Sequence, residues 1–318
     1  MNFVLFADSD FYANPVMRVI TVAATFAAAV ILARTYRTIA GTTLIIPWAW
    51  SLLACAGIAA ASLYATFVLR DRTDNPWGPF SSLHFLAACG TLCPFIALLG
   101  SKRPQHTAWN FVVVALWCML ALPAAEVVFL QPGQPLEINS FRSWFLLALI
   151  AAEMCNFIAT RYALSCGLVV MAQLIWLGPW LPWELWFPAG NFDWELAGLL
   201  CAAAGIITAW TVAMRPTQAA NRYDRLWFDF RDSFGLFWSL RLIERVNDTQ
   251  KQAAWNCDLG WGGFRTKDEF LTLGELSPAV ETSLRNCLQG SLRRFVSPEW
   301  IAQRLGEEVE SAATESTS

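Results

Sequence analysis

The chain has 318 residues, of which 56% are hydrophobic and 15% charged, against roughly 25% charged in a soluble domain. A net charge of −3 excludes a protein held to nucleic acid by a basic surface. The charges are unevenly placed: residues 1–214 carry nine Lys or Arg and ten Asp or Glu, whereas 215–318 carry thirteen and fifteen. This asymmetry predicts an external segment 1–15, a transmembrane domain 16–214, a cytosolic domain 215–306 and a disordered acidic, Ser/Thr-rich tail 307–318. The expected fold class is an all-α polytopic membrane protein with a small α-rich cytosolic domain containing at most a short β element.

Seven runs are long and apolar enough for a bilayer core, which needs about 20 residues per helix. They are 16–33, 43–69, 80–99, 108–130, 143–160, 162–182 and 194–214. The first is preceded by Asp8 and Asp10 instead of a basic segment and followed by Arg34 and Arg37, so it reads as a retained span and not a cleaved signal. "TRY" (160–162) leaves almost no loop between the fifth and sixth runs. In a seven-span arrangement Arg34, Arg37, Lys102, Arg103, Arg161 and Arg215 share one side. Arg70, Arg72 and Arg142 take the other, the first two diluted by Asp71 and Asp74. The basic excess marks the cytoplasmic side. The N-terminus is therefore expected outside and the C-terminus cytoplasmic, with a bacterial cytoplasmic membrane as the expected location. "WLGPWLPWELWFPAGNFDW" (176–194), with five Trp and no Lys or Arg, is expected to hug the outer interface.

Ionisable groups inside spans are costly, so each is a functional candidate. His84 and Glu126 lie about one turn inside the outer ends of consecutive antiparallel spans, which predicts a pair at common depth. Glu153 and Gln173 lie nearer mid-membrane on the fifth and sixth runs, with Asn156 one turn from Glu153. These five residues form the candidate intramembrane polar site. They serve either interhelical hydrogen bonding or a proton path, solute path or sensing pocket.

Enzyme signatures are missing. The two histidines, His84 and His106, stand at opposite ends of one span and its following loop and cannot share a haem. There is no HExxH, Walker or GxGxxG pattern, and "GWGGF" (260–264) has the wrong spacing. "SCG" (165–167) lacks the surroundings of a nucleophile elbow. Cys55, Cys89, Cys93, Cys118, Cys155, Cys166 and Cys201 sit in apolar runs and read as packing residues; Cys257 and Cys287, in the tail, are expected to be reduced. No catalytic set, cofactor or metal is predicted.

The segment "DRLWFDFRDSFGLFWSLRLIERVND" (224–248) is too charged for a span. On a helical wheel Tyr223, Leu226, Trp227, Phe230, Phe234, Phe237 and Trp238 gather on one third of the circumference. This predicts an amphipathic helix over 222–247, N-capped by Asn221. Beyond Ser239 the apolar stripe moves to Leu236, Leu240 and Ile243, so the helix must bend near Gly235 or meet two surfaces. Its mixed, slightly acidic polar face differs from the Lys/Arg-rich face of lipid-seeking helices. The aromatic stripe is therefore read as a docking face for protein: the tail, the cytoplasmic ends of the spans, or a second copy. A short strand is expected at 255–261, with a turn at Gly262-Gly263. Two helices are expected from Ser277-Pro278 to Gly290 and from Ser297-Pro298 to Gly306. The predicted function is a non-enzymatic sensor or assembly scaffold whose partners are the lipid bilayer and a protein, or a second copy, reached through the cytosolic domain. The alternative is a secondary transporter or channel.

Overall fold

The computed structural model describes residues 15–68, 77–131, 134, 136–182, 194–253, 255–266 and 277–306. The segment before Pro15 expected outside, the stretch 183–193 expected at the outer interface and the tail 307–318 expected to be disordered lie outside the described residues. The membrane part is built from α1 (Pro15–Ile39), α2 (Ile45–Val68), α3 (Trp77–Gly90), α4 (Cys93–Leu99), α5 (His106–Phe129), α6 (Ser140–Phe157), α7 (Ala163–Leu177) and α8 (Trp194–Met214), with a 3-10 turn at Gly178–Trp180 after α7. Six stretches are long and apolar enough to cross a membrane: Val22–Ile39, Ile45–Tyr64, Ser82–Leu99, Thr107–Phe129, Ala163–Trp180 and Leu196–Met214. The helix α6, with Arg142 and Glu153, is not among them. Phe26, Phe111, Met119 and Phe129 face outward and are more than 60% exposed, a surface suited to lipid and costly in water.

The run 80–99, expected as one helix, is two. Thr91 and Leu92 form a turn between α3 and α4, and Pro94 stands in the first turn of α4. Proline has no N–H to donate, and its ring clashes with the carbonyl four residues back, here that of Gly90. The ladder therefore breaks where the sequence is still apolar. Phe85, Leu92, Ile96, Val113, Leu146, Ile150 and Leu177, each at most 3% exposed, form the centre of the bundle core.

The tail consists of α9 (Arg222–Ala253), an antiparallel hairpin of β1 (Cys257–Gly260) and β2 (Gly263–Thr266), α10 (Pro278–Leu292) and α11 (Pro298–Leu305). The expected caps are present. Asn221 Oδ1 accepts from the Asp224 N–H at 2.8 Å, Ser277 Oγ from Val280 N–H and Ser297 Oγ from Trp300 N–H. Gly306 ends α11 in the left-handed region at φ +71°, whereas α10 continues through Gly290 to Leu292. The long helix extends past 247 to Ala253 and breaks at Gly235, with φ +76° and ψ −170°. That break resets the helical phase. The second buried stripe is consequently Leu242 and Val246, 5% and 1% exposed, while Leu240 is 50% exposed. A wheel drawn straight through Gly235 places the stripe incorrectly.

The tail packs on one end of the bundle. Thr43 N–H donates to the Phe295 carbonyl at 2.8 Å, Ser297 N–H to Gly41 at 2.7 Å and Arg103 N–H to Arg294 at 2.7 Å. Trp238 Nε1–H donates to the Leu98 carbonyl at 3.0 Å and Trp261 Nε1–H to Ala159 at 3.1 Å. The turn after α1, the turn after α4 and the joint between α6 and α7 all therefore meet the tail. At the opposite end Trp180 Nε1–H donates to the Leu136 carbonyl at 3.2 Å, joining the turn after α7 to the segment before α6.

Candidate functional site

The break between α3 and α4 lies beside the polar groups of α6 and α7. Gln173 is fully buried; its Nε2 donates to Glu153 Oε2 at 2.9 Å and to the Thr91 carbonyl at 3.3 Å. The α3–α4 turn thus presents a carbonyl to a side chain instead of to a helical N–H, a need that lipid cannot meet. These groups border a cavity of about 230 Å³ whose wall is otherwise largely apolar, with Ala28 and Leu32 from α1, Ile58 from α2 and Leu199 from α8. Gln173 Oε1 is buried and has no hydrogen-bond partner among the described residues. Among the described residues no Lys, Arg or His lines the cavity. Among the described residues no group of three or more His, Cys, Asp or Glu could hold a metal.

One turn beyond Glu153, Asn156 is 1% exposed and leaves the cavity altogether. Its Oδ1 accepts from the Phe237 N–H at 3.0 Å, just past the α9 break. Any Cβ on Gly235 would stand 2.8 Å from the Asn156 carbonyl oxygen, too close for van der Waals contact. Glycine is required here by conformation and by space.

A charged cluster locks the same joint. Arg161 reaches Asp232 at 3.4 Å and Asp229 at 4.0 Å, and its Nη1 donates to Thr217 at 3.0 Å. Asp229 also accepts from Arg304 of α11 at 2.8 Å, and Asp232 from Arg231 at 2.9 Å. Asp232 is 2% exposed, and a charge so buried requires partners of this kind. Burial pushes the Arg304 pKa down against the pull of Asp229, and pushes the Tyr162 hydroxyl pKa up. The three elements α6–α7, α9 and α11 therefore meet in one network.

The aromatic face of α9 is largely covered by its own chain. Tyr223, Leu226, Trp227, Phe230, Phe234 and Trp238 are buried, and Phe237 is 39% exposed. Phe230 and Phe234 stack at 4.8 Å between ring centroids, and Phe295 meets each edge-on at 5.3 Å. Leu98 belongs to the same cluster, and Leu44 and Phe157 pack against it from the bundle.

Of the five intramembrane candidates, the structure joins Glu153 with Gln173 and places Asn156 at the tail junction. His84 is buried; Glu126 is exposed and accepts from Gln131 at 3.5 Å. Sequence reasoning missed Thr91, Arg161, Asp229, Asp232 and Arg304 as site members. The signals available were Pro94 within an apolar run and an arginine in the shortest interhelical joint. Comparison with known protein families, characterised proteins and solved structures returns no match.

Proposed function

We propose that this chain is a non-enzymatic sensor or assembly component, in which a largely apolar cavity inside the spans, with Glu153 and Gln173 in its wall, is coupled through α6 to a cytosolic domain docked on the bundle. The observation that carries this reading is the spacing on α6. Glu153 stands in the cavity wall and Asn156, three residues on, holds the backbone of α9. A helix transmits a small shift at one turn to the next as a rigid body, and a packed interface responds in discrete steps. A protein partner or second copy would meet the tail on a surface other than the covered aromatic stripe.

The proposal includes seven crossings, the six long apolar stretches and α6. The segment before α6 bonds to the turn after α7 at one end, and the joint after α6 bonds to the tail at the other. Such a path favours α6 as the remaining crossing despite Arg142 and Glu153. Reporter fusions after residues 37, 105 and 215 should read cytoplasmic, and those after 75, 137 and 189 external; a cytoplasmic signal at 137 or 189 overturns the topology. Coupling is tested by hydrogen exchange on the full chain in nanodiscs. Glu153→Gln should alter protection at Phe237 and Trp238, and an unchanged pattern rejects the reading. A secondary transporter is the second reading, favoured by the broken α3–α4 pair beside the cavity. Potential-driven proton flux into proteoliposomes, lost in Glu153→Gln, would establish it in place of the sensor.

A further inference from the structure

We propose that the intramembrane cavity is a binding site for a small lipophilic amine, taken up as its ammonium with Glu153 as counter-ion. The proposal deepens the sensor reading by naming the chemistry of what is sensed. Glu153 has one cavity-wall partner, the amide of Gln173, which engages Oε2. The other acceptor beside it is Gln173 Oε1, fully buried and without a partner. Two neighbouring acceptors, one of them a carboxylate, call for a cationic group with several donors, and an ammonium has three. A carboxylate at membrane depth without a cation is costly, and ligand counter-ions are a recognised use of such residues.

Other ligand classes fit less well. An anion would face Glu153 with no Lys, Arg or His among the described wall residues to offset it. A hydrocarbon would leave Gln173 Oε1 unpaired, and an unsatisfied buried acceptor is penalised. A divalent metal needs more charged ligands than the single carboxylate here. The remaining wall, including Ala54, Ile58, Leu199 and Ile206, is apolar and suits a hydrocarbon body. A cavity of about 230 Å³ has room for one ring or a short chain. Amines of this kind are almost wholly protonated at neutral pH, with a pKa near the ~10.4 of lysine.

The test uses the full chain in nanodiscs with tritiated 2-phenylethylamine as probe, and protein-free nanodiscs to subtract lipid partitioning. Saturable binding is expected, with 2-phenylethanol competing at least about tenfold less well, as the loss of a charge-assisted bond implies. Glu153→Gln should weaken amine binding by a similar factor and erase the preference over the alcohol, while Glu126→Gln, at an exposed carboxylate outside the cavity wall, should leave both unchanged. Glu153→Asp keeps the charge and should retain the preference, which guards against a misfolded Gln variant. Absence of saturable binding, equal competition by the alcohol, or wild-type binding by Glu153→Gln overturns the proposal. Binding that follows these expectations without any change in protection at Phe237 on amine addition upholds the site and rejects the coupling.

Discussion

Replacing Gly235 with alanine should loosen the tail from the bundle without disturbing the spans. Two effects add. The backbone at φ +76°, ψ −170° lies in a region nearly reserved for glycine, and a side chain there costs about 1–3 kcal/mol. The new Cβ would also stand 2.8 Å from the Asn156 carbonyl oxygen. Relieving that contact moves α9 away from α6 and sacrifices the Phe237–Asn156 hydrogen bond of 3.0 Å, which contributes about 1 kcal/mol. A shift of about 3 kcal/mol is roughly 150-fold in the docking equilibrium. Hydrogen exchange and limited trypsinolysis of the full chain in nanodiscs measure it, and amides at Phe237 and Trp238 should lose protection. The control is Gly290→Ala, where an added Cβ meets nothing within 4 Å inside α10, so the tail should be unchanged or gain about 0.5–1 kcal/mol. If Gly235→Ala leaves protection and cleavage at the wild-type level, the break does not hold the tail against α6 and the junction as described is wrong.

Arg161→Met should strip one cation from Asp229 and Asp232 and weaken docking by about 2 kcal/mol, below the 3–5 kcal/mol of a fully buried pair because Arg161 is partly exposed. Faster tryptic cleavage in the tail would register the loss, and wild-type rates would show that the network is not cohesive. Phe230→Leu with Phe234→Leu removes the stacked pair and its edge contacts with Phe295, at a cost of about 3 kcal/mol. Its tail should become protease-sensitive while the protein remains membrane-inserted, whereas unaltered resistance would indicate that close packing is not required. Glu281, which accepts hydrogen bonds from Tyr223 and Arg222, has its pKa lowered from the ordinary 4.5. Because the folded value lies below the unfolded one, its contribution is present above about pH 4.5 and lost as pH falls through the folded value. The α9–α10 contact should therefore loosen on acidification below that range in wild type and show no such dependence in Glu281→Gln, as read by exchange at Tyr223.

Much of the architecture is legible in the sequence because its causes are local. Long apolar runs specify membrane-crossing helices through the absence of water for the backbone. The aromatic repeat from Tyr223 to Trp238 specifies an amphipathic helix through its 3.6-residue period. Ser277-Pro278 and Ser297-Pro298 specify helix starts, since a hydroxyl acceptor and a preset φ act within one turn. Gly235 is visible as a bend because the apolar stripe changes side there. What folds across distance is not legible this way. The pairing of Glu153 with Gln173 depends on rotations of α6 and α7 that a period cannot supply, and Asn156, one turn away, faces the tail instead. His84 and Glu126 share a depth in the sequence, yet depth constrains only one coordinate and rotation about each helix decides whether side chains meet. The cluster of Arg161, Asp229, Asp232 and Arg304 spans well over a hundred residues and exists only because the tail folds back onto the α6–α7 joint. Local patterning determines which faces must be buried; tertiary packing alone decides which face meets which, because many pairings bury the same area and only close fit and satisfied polar groups separate them.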